Sequence, residues 1–332
     1  MEIQAFKKRF DQVLGRALKR RIFENKKLTK DPYVREVVAY VEQLVMAGGK
    51  RIRPYLAYVS YKVAGGKDDK AFLEIVVGLE LFHAFALVHD DIMDHGTLRH
   101  GLPTTHVRFG TSQAILLGDL LFNWANACLN GTKAYPIFQQ MIHEVITGQM
   151  LDVDSMARAS VEMGMIEERH RLKTASYTFV RPMQIGFALA QRGMRNAEHL
   201  MTFAEQYGYP LGIGFQIQDD LLDLTSEPDE IGKTAFSDLR DGQHTLFTQY
   251  IAQCGTRVVQ SELKALWKKN LTEKDRPKVL YLFEMSGALD HGRMLIEAYF
   301  EEAEEALESS GLALKNLVAF RELVDYIRKR TL

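Results

Sequence analysis

The chain has 332 residues, 46% of them hydrophobic and 26% charged, a balance that supplies a core of useful size. Its formal net charge is −1, so no global field draws it to nucleic acid or to an anionic membrane, and any anion-binding role must come from local clusters. Its two cysteines, Cys128 and Cys254, lie far apart without a C-x-x-C pattern, which excludes a disulfide framework and a cysteine metal site and fits a reducing compartment.

Residues 1–27, MEIQAFKKRFDQVLGRALKRRIFENKK, lack the apolar stretch of a secretory signal. They are basic and amphipathic, and Glu2, Asp11 and Glu24 favour an ordinary first helix over a transit peptide. The segment YVREVVAYVEQLVMAGG carries Val37, Val38, Val41, Leu44 and Val45 near the helical period and stops at Gly48 and Gly49. DKAFLEIVVGLELFHAFALVHDDIMDH predicts a long helix buried on most sides. TSQAILLGDLLFNWANACLN offers Thr111 or Ser112 as an N-cap and Asn130-Gly131 as a stop. Helical patterns follow near 136–157, 167–193, 196–224, 245–269, 275–290 and 291–309. Alternating β-branched runs are nearly absent, so the predicted class is all-α.

No run approaches the about 18 apolar residues of a transmembrane helix. No Pro- or Gly-rich linker divides the chain and no solenoid repeat is visible. Residues 1–332 are therefore expected to form a single domain in the cytoplasm. One loop, TSEPDEIGKTAFSDLRDGQHT, runs about 20 residues, and long loops in compact domains are often functional.

The pattern D-D-x-x-D occurs twice, as Asp90, Asp91, Asp94 and as Asp219, Asp220, Asp223, each entered from apolar sequence. On a helix, positions four apart differ by roughly 40° and share a face, while the middle aspartate lies roughly 100° away. Carboxylates gathered in an apolar setting repel one another unless cations are present. Hard divalent cations are the natural partners, and Mg2+ is usually held by one or two carboxylates together with substrate phosphates. Two clusters with a diphosphate between them suit that chemistry. The plain alternative is that the aspartates cap helix ends, where the dipole favours negative charge. It explains one motif more easily than two.

Basic residues supply the other half of an anion site. GGKRIRP places Lys50 and Arg53 three apart at a helix start, able to clamp a phosphate group by charge-assisted hydrogen bonds. Taken alone such a pair is common on surfaces. His83, on an apolar helix, is by itself a core histidine as readily as a ligand. Arg99 follows the first motif in a loop with Gly101 and Pro103, and Lys173-Thr174 and Lys233 are unremarkable singly.

The ordered set GGKRIRP, LVHDDIMDHGTLRHGLPTTH, GQMLD, KTASYTF, GFQIQDDLLDL and GKTAFSDLRDGQHTL resembles the trans-prenyltransferase family, the chain-elongating isoprenyl diphosphate synthases, from about residue 46 to 245. The resemblance implies an isoprenoid-synthase helical bundle with a central cavity, a homodimer, and no nucleic-acid partner. It implies Mg2+ ligation by Asp90 and Asp94 with Asp91 in support, and by Asp219 with Asp220 and Asp223 as helpers. Arg99, Lys173 and Lys233 would hold the allylic diphosphate, with Gln216 and Thr174 along the path of the cation. Lys50, Arg53 and His83 would take isopentenyl diphosphate, and Gln149 and Asp152 would form a polar pair near the metals. Two positions depart from the family pattern: His100 stands where a second arginine is usual, and Gln243 where a lysine is usual. The first is expected to weaken isopentenyl diphosphate binding or make it pH-dependent. The second removes a charge from the allylic side.

Tail length in such enzymes is set by bulk upstream of the first motif. One helical turn is about 5.4 Å, close to one isoprene unit. Phe85 beside the small Ala86, with Phe82 one turn deeper, resembles geranylgeranyl synthases of the archaeal type, so a C20 product is expected, with C15 the alternative. A type I terpene cyclase would need its second motif to read N/D-D-x-x-S/T-x-x-x-E, and Asp223 breaks that pattern. A non-catalytic subunit of a heteromeric synthase would tend to lose the Asp motifs, and both are intact.

Overall fold

The computed structural model describes residues 2–190, 197–226 and 236–329, and nearly every segment among them is helical. Packing divides the chain into two compact units, Met1–Gln139 with Pro182–Leu200, and Gln140–Arg181 with Met201–Leu332.

In the first unit, α1 (Glu2–Lys26) buries Ile3, Phe6, Phe10, Leu14, Leu18 and Ile22. Their spacing of three or four puts them on one face, and each such side chain contributes about 1.5–3 kcal/mol when fully buried. Helix α2 (Pro32–Met46) begins with proline in its first turn and Asp31 accepting from the Val34 amide at 2.9 Å. After α3 (Ile52–Val63), α4 (Asp69–Met93) begins with Asp68 accepting from the Ala71 amide at 3.0 Å. A short hairpin pairs β1 (Leu98–Arg99) with β2 (Leu102–Pro103) antiparallel, and α5 (Thr105–Phe109) and α6 (Thr111–Leu129) follow. Helices α4 and α6 lie close enough that a Cβ at Gly78 would sit 2.3 Å from the Leu129 side chain, and one at Gly118 2.2 Å from the His89 ring. Glycine is what that approach requires.

Helix α4 corrects one sequence expectation. It is long and apolar enough to cross a bilayer by length and composition. Most of that apolar stretch is buried inside the protein, as befits a core helix.

The second unit takes most of α7 (Tyr135–Ala157), then α8 (Met163–Arg169) and a π-helix (His170–Val180). Helix α9 (Arg181–Ala190) returns to the first unit, and α10 (Ala197–Thr225) leads back to the second. There follow α11 (Ser237–Asp241), α12 (Leu246–Cys254), α13 (Arg257–Leu266), a 3-10 turn (Glu273–Asp275), α14 (Arg276–Met285), α15 (Ala288–Glu308) and α16 (Leu314–Arg328). Helix α10 grips the last helix through Tyr207, whose hydroxyl donates to the Phe320 carbonyl at 2.9 Å, amid Phe203 and Phe320 rings.

Three element boundaries differ from expectation. The stretch 245–269 is two helices, because Gly255 is extended and Thr256 caps a new start at the Val259 amide. The break expected at 290 lies at Gly287, whose φ of 75° ends α14 and opens α15. Helix α6 is preceded by Gly110 as N-cap, not Thr111 or Ser112, since α5 stops and α6 starts within one residue at φ 85°.

Candidate active site

The first Asp motif closes α4. Asp90 and Asp91 lie in its last turn and Asp94 is its C-cap. Asp91 is buried and its Oδ1 accepts from both Arg99 Nε (2.8 Å) and Nη2 (2.6 Å). The pair fixes the guanidinium of Arg99 on the hairpin beside the motif. Asp91 thus positions a cation, a role more specific than general support for metal binding. The hairpin turn, His100-Gly101, has positive φ at both residues (51° and 76°), the condition of a type I′ connection. Thr104 ties the loop by donating its hydroxyl to the Gly96 carbonyl at 2.7 Å.

That turn carries His100 to the GGKRIRP segment. A Cβ at Gly48 would lie 3.0 Å from the His100 ring, so glycine there seats the imidazole against the backbone. His83, half-buried on α4, has its imidazole held well below the ordinary value by burial first, then by Arg53, Arg99, Arg51 and His100. His100 is lowered by burial, then by Arg99 and Arg51, with Asp91 opposing. Arg53, His83, Arg99 and His100 therefore form one basic group in the first unit, with Lys50 exposed at its edge.

The sequence motifs do not mark Arg51, whose charge also bears on His83 and His100. It is buried, in a left-handed conformation (φ 55°), and bonds Glu80, Asp11 Oδ1 (2.9 Å) and the Val45 carbonyl (2.8 Å). A glutamate in the middle of apolar α4 was the available signal, since a carboxylate there requires a cation.

Before the first motif Phe85 packs with tilted rings against Phe82 (5.4 Å) and Phe122 (5.1 Å) and edge-on against His89 (4.7 Å), and Phe82 meets Phe138 edge-on at 5.7 Å. Phe82 is fully buried, while Phe85 and Ala86 are half-buried. Phe122 on α6 thus joins the Phe82–Phe85 cluster, a contact that the sequence motifs do not mark.

The second motif lies near the end of α10. Asp220 is buried, its Oδ1 accepts from Gln216 Nε2 at 2.9 Å, and Gln216 Oε1 accepts from Thr174 Oγ1 at 2.6 Å. Its Oδ2 is buried without a hydrogen-bond partner among the described residues; His170 Nε2 stands 3.5 Å away. Burial, opposed by Arg169 and Gln216 and reinforced by Asp219 and Asp223, raises the Asp220 carboxyl to about 7. His170 is held well below its ordinary value by burial, Arg169 and Lys173, so it is neutral and does not supply the missing charge. A buried, unsatisfied carboxylate oxygen beside other carboxylates fits a hard divalent cation. No preformed cluster of three metal-binding side chains exists among the described residues.

Asp223 differs from the expectation of a metal helper. Its Oδ1 accepts from the Ser237 amide (3.1 Å) and hydroxyl (2.5 Å), and its Oδ2 from the Asp238 amide (3.1 Å). It caps the start of α11, the plain alternative realised at one of six aspartates. Asp152 is likewise occupied: Oδ2 accepts from Lys173 Nζ at 2.5 Å, Oδ1 from Gln243 Nε2 at 2.8 Å, and Arg169 Nε lies 3.4 Å away. It anchors two of the expected diphosphate-binding residues instead of presenting its oxygens to a metal. Gln149 lies half-buried on the same helix, and Lys233 falls outside the described residues.

Lys173 and Thr174 stand on the π-helix, a form that recurs at functional sites. Two neighbouring helices approach it through glycines. A Cβ at Gly148 would lie 2.6 Å from the Lys173 amide nitrogen, and one at Gly212 2.4 Å from the Ala175 Cα.

Against known proteins, the polyprenyl synthetase family model matches residues 34–283. A geranylgeranyl diphosphate synthase of Sulfolobus acidocaldarius is 34% identical over 83% of this chain and 87% of its own. A geranylfarnesyl diphosphate synthase of Aeropyrum pernix is 30% identical over 86% of this chain and 92% of its own. The crystal structure of a geranylgeranyl pyrophosphate synthase from Corynebacterium glutamicum, complexed with isoprenyl diphosphate and magnesium, superposes with a TM-score of 0.86 at 27% identity, covering 97% of this chain and 98% of that one.

Proposed function

The chain belongs to the polyprenyl synthetase family, and from that premise we infer a prenyltransferase that condenses isopentenyl diphosphate with an allylic diphosphate to give geranylgeranyl diphosphate. The observation that carries the reading onto these residues is Asp220, a buried carboxylate whose second oxygen has no hydrogen-bond partner among the described residues.

We assign divalent-metal ligation to Asp90 and Asp94 in the first motif and to Asp219 and Asp220 in the second. Bound Mg2+ would neutralise the charge that builds on a leaving diphosphate. The protein's own groups do the rest. Arg99, held by Asp91, and Lys173, held by Asp152, are preorganised positive charges for the allylic diphosphate and need no reorganisation as its C–O bond ionises. Gln243 shares the Asp152 anchor, so it keeps Lys173 in place where a lysine at 243 would add a second charge. The Thr174–Gln216–Asp220 chain of hydrogen bonds fixes the Gln216 amide, its oxygen turned to Thr174 and its nitrogen to Asp220. The basic group of Arg53, His83 and His100 is assigned to isopentenyl diphosphate, whose C4 carbon attacks the allylic cation. The proton then lost goes to the released diphosphate. No nucleophilic serine or cysteine is required.

Phe85 and Phe122 support a C20 stop, as bulk closing the tail's path. We also propose a homodimer, for which the exposed Ile115 and Leu116 on α6 offer apolar surface.

The test is a product assay. The protein is given isopentenyl diphosphate with C5, C10 or C15 allylic diphosphate, with and without Mg2+, and products are read by mass spectrometry after dephosphorylation. A Mg2+-dependent C20 product supports the proposal, and a C15 or C25 product keeps the chemistry but revises the stop. Hydrocarbon formed without isopentenyl diphosphate would mean a cyclase. Replacing Asp90 or Asp219 with alanine should lower kcat by orders of magnitude, and a near-wild-type rate would sink the ligand assignment.

A further inference from the structure

The C-terminal half of α1 contributes no residue to the candidate site, which this helix meets through Asp11, a partner of Arg51. Residues 16–30 hold seven Lys and Arg against one Glu, although the remainder of the chain carries more Asp and Glu than Lys and Arg. The inner face of α1 is spent on the core through Phe10, Leu14, Leu18 and Ile22. Its outer face presents Arg16, Lys19 and Arg20 to solvent, and at its end Phe23 is 61% exposed and Leu28 82% exposed. Positions 16, 19, 20 and 23 fall within roughly 100° of one another around the helix. Local acids do little to cancel the charge: Lys19 reaches Glu42 only at 3.7 Å between exposed groups, and Lys27 pairs with exposed Glu24 while lying over the Phe23 ring at 4.3 Å. Exposed pairs of this kind are weak and screened.

We propose that this end of α1 docks the protein on an anionic lipid surface. Clustered Lys and Arg on one helix face are drawn to the negative potential of acidic headgroups. A phenylalanine and a leucine within the cluster can enter the headgroup boundary. A nucleic acid would satisfy the charges but give the exposed leucine nothing to bury, which favours the membrane. A solvated face would account for the lysines and arginines and leave both large apolar side chains unexplained. The acidic remainder of the chain makes the attachment directional, with α1 toward the lipid. Attachment does not depend on the proposed activity, though it would place the maker of an amphiphilic C20 diphosphate beside the phase that dissolves it.

The test uses the full chain without substrates, cosedimented with vesicles of phosphatidylcholine alone or with roughly 30 mol% phosphatidylglycerol. Binding to the anionic vesicles is expected to be at least about tenfold stronger and to be lost in about 0.5 M salt. Replacing Arg16, Lys19 and Arg20 together with glutamate should abolish it, and Phe23→Ser alone should weaken it several-fold. Unchanged helical circular dichroism and product formation would show that both variants are folded. Absent or equal binding to the two vesicle types would overturn the proposal. So would a Phe23→Ser variant that binds as wild type while the protein holds poly(U) as tightly as vesicles, which would mark a general polyanion surface.

Discussion

Replacing Asp220 with asparagine should make the metal-free protein more stable while destroying its catalysis. Folding raises this carboxyl from 3.8 to about 7, chiefly by burial. The folded protein therefore holds the proton more tightly than the unfolded chain does. The group's contribution to stability is full below the unfolded value, is lost as pH rises across the window from about 4 to about 7, and stays lost above it. A difference of about three units at 1.36 kcal/mol each corresponds to about 4 kcal/mol. That is an upper bound, because Asp219 and Asp223 share the titration. Asparagine keeps an acceptor for Gln216 and can turn an N–H toward His170 Nε2, so nothing is lost in exchange. The assay is denaturation in the presence of EDTA at about pH 5 and about pH 8.5. The variant should be the more stable at the higher pH, by a margin that shrinks by half or more at the lower. Mg2+ with inorganic diphosphate should raise the melting point of the wild type and leave the variant nearly unmoved. A variant less stable at high pH, or an advantage independent of pH, would refute the account of this carboxylate.

Phe85→Ala should let the product grow beyond C20, and Phe122→Ala should do so as well because its ring packs against Phe85, 5.1 Å away; mass spectrometry of the product distribution decides. Arg51→Met should cost about 3–5 kcal/mol by leaving Glu80 buried without its cation, and adding Glu80→Gln should restore much of it, read as denaturation midpoints. Gly148→Ala puts a Cβ 2.6 Å from the Lys173 amide nitrogen, so the π-helix must shift. Overpacking of that kind costs about 1–3 kcal/mol. A lysine displaced by an ångström should lower kcat about 100-fold, with a smaller change in the KM for isopentenyl diphosphate.

The helices were legible because their apolar residues recur at a period of 3.6, as α1 and α2 show residue by residue. The aspartate motifs were legible because carboxylates in apolar sequence require an explanation. What stayed hidden depends on partners distant in sequence or on backbone form. Nothing local links Arg51 to Glu80, and nothing in KTASYTF announces a π-helix, since one extra residue per turn leaves the apolar pattern of a short buried segment unchanged. Asp223 could not be separated from its neighbours until α11 supplied the amides it caps.

The two motifs share their letters and differ in their physics. Mutual repulsion among aspartates suggests that both clusters are held in tension alike. Instead the middle aspartate of the first is neutralised by Arg99, eight residues further along the chain. The middle aspartate of the second has a glutamine on one oxygen and no hydrogen-bond donor on the other among the described residues, and it responds by holding a proton to about pH 7. A cation bound at the second motif, as proposed, would therefore displace that proton and relieve a cost the fold already carries. At the first it would meet a pair already satisfied. The second motif should accordingly show the stronger coupling between metal binding and pH, with protons released as the metal binds, and Asp91→Asn should leave that proton release in place where Asp220→Asn removes it. Calorimetry in buffers of different ionisation enthalpy measures that release. Equal release from the two variants would mean that the motifs are equivalent after all.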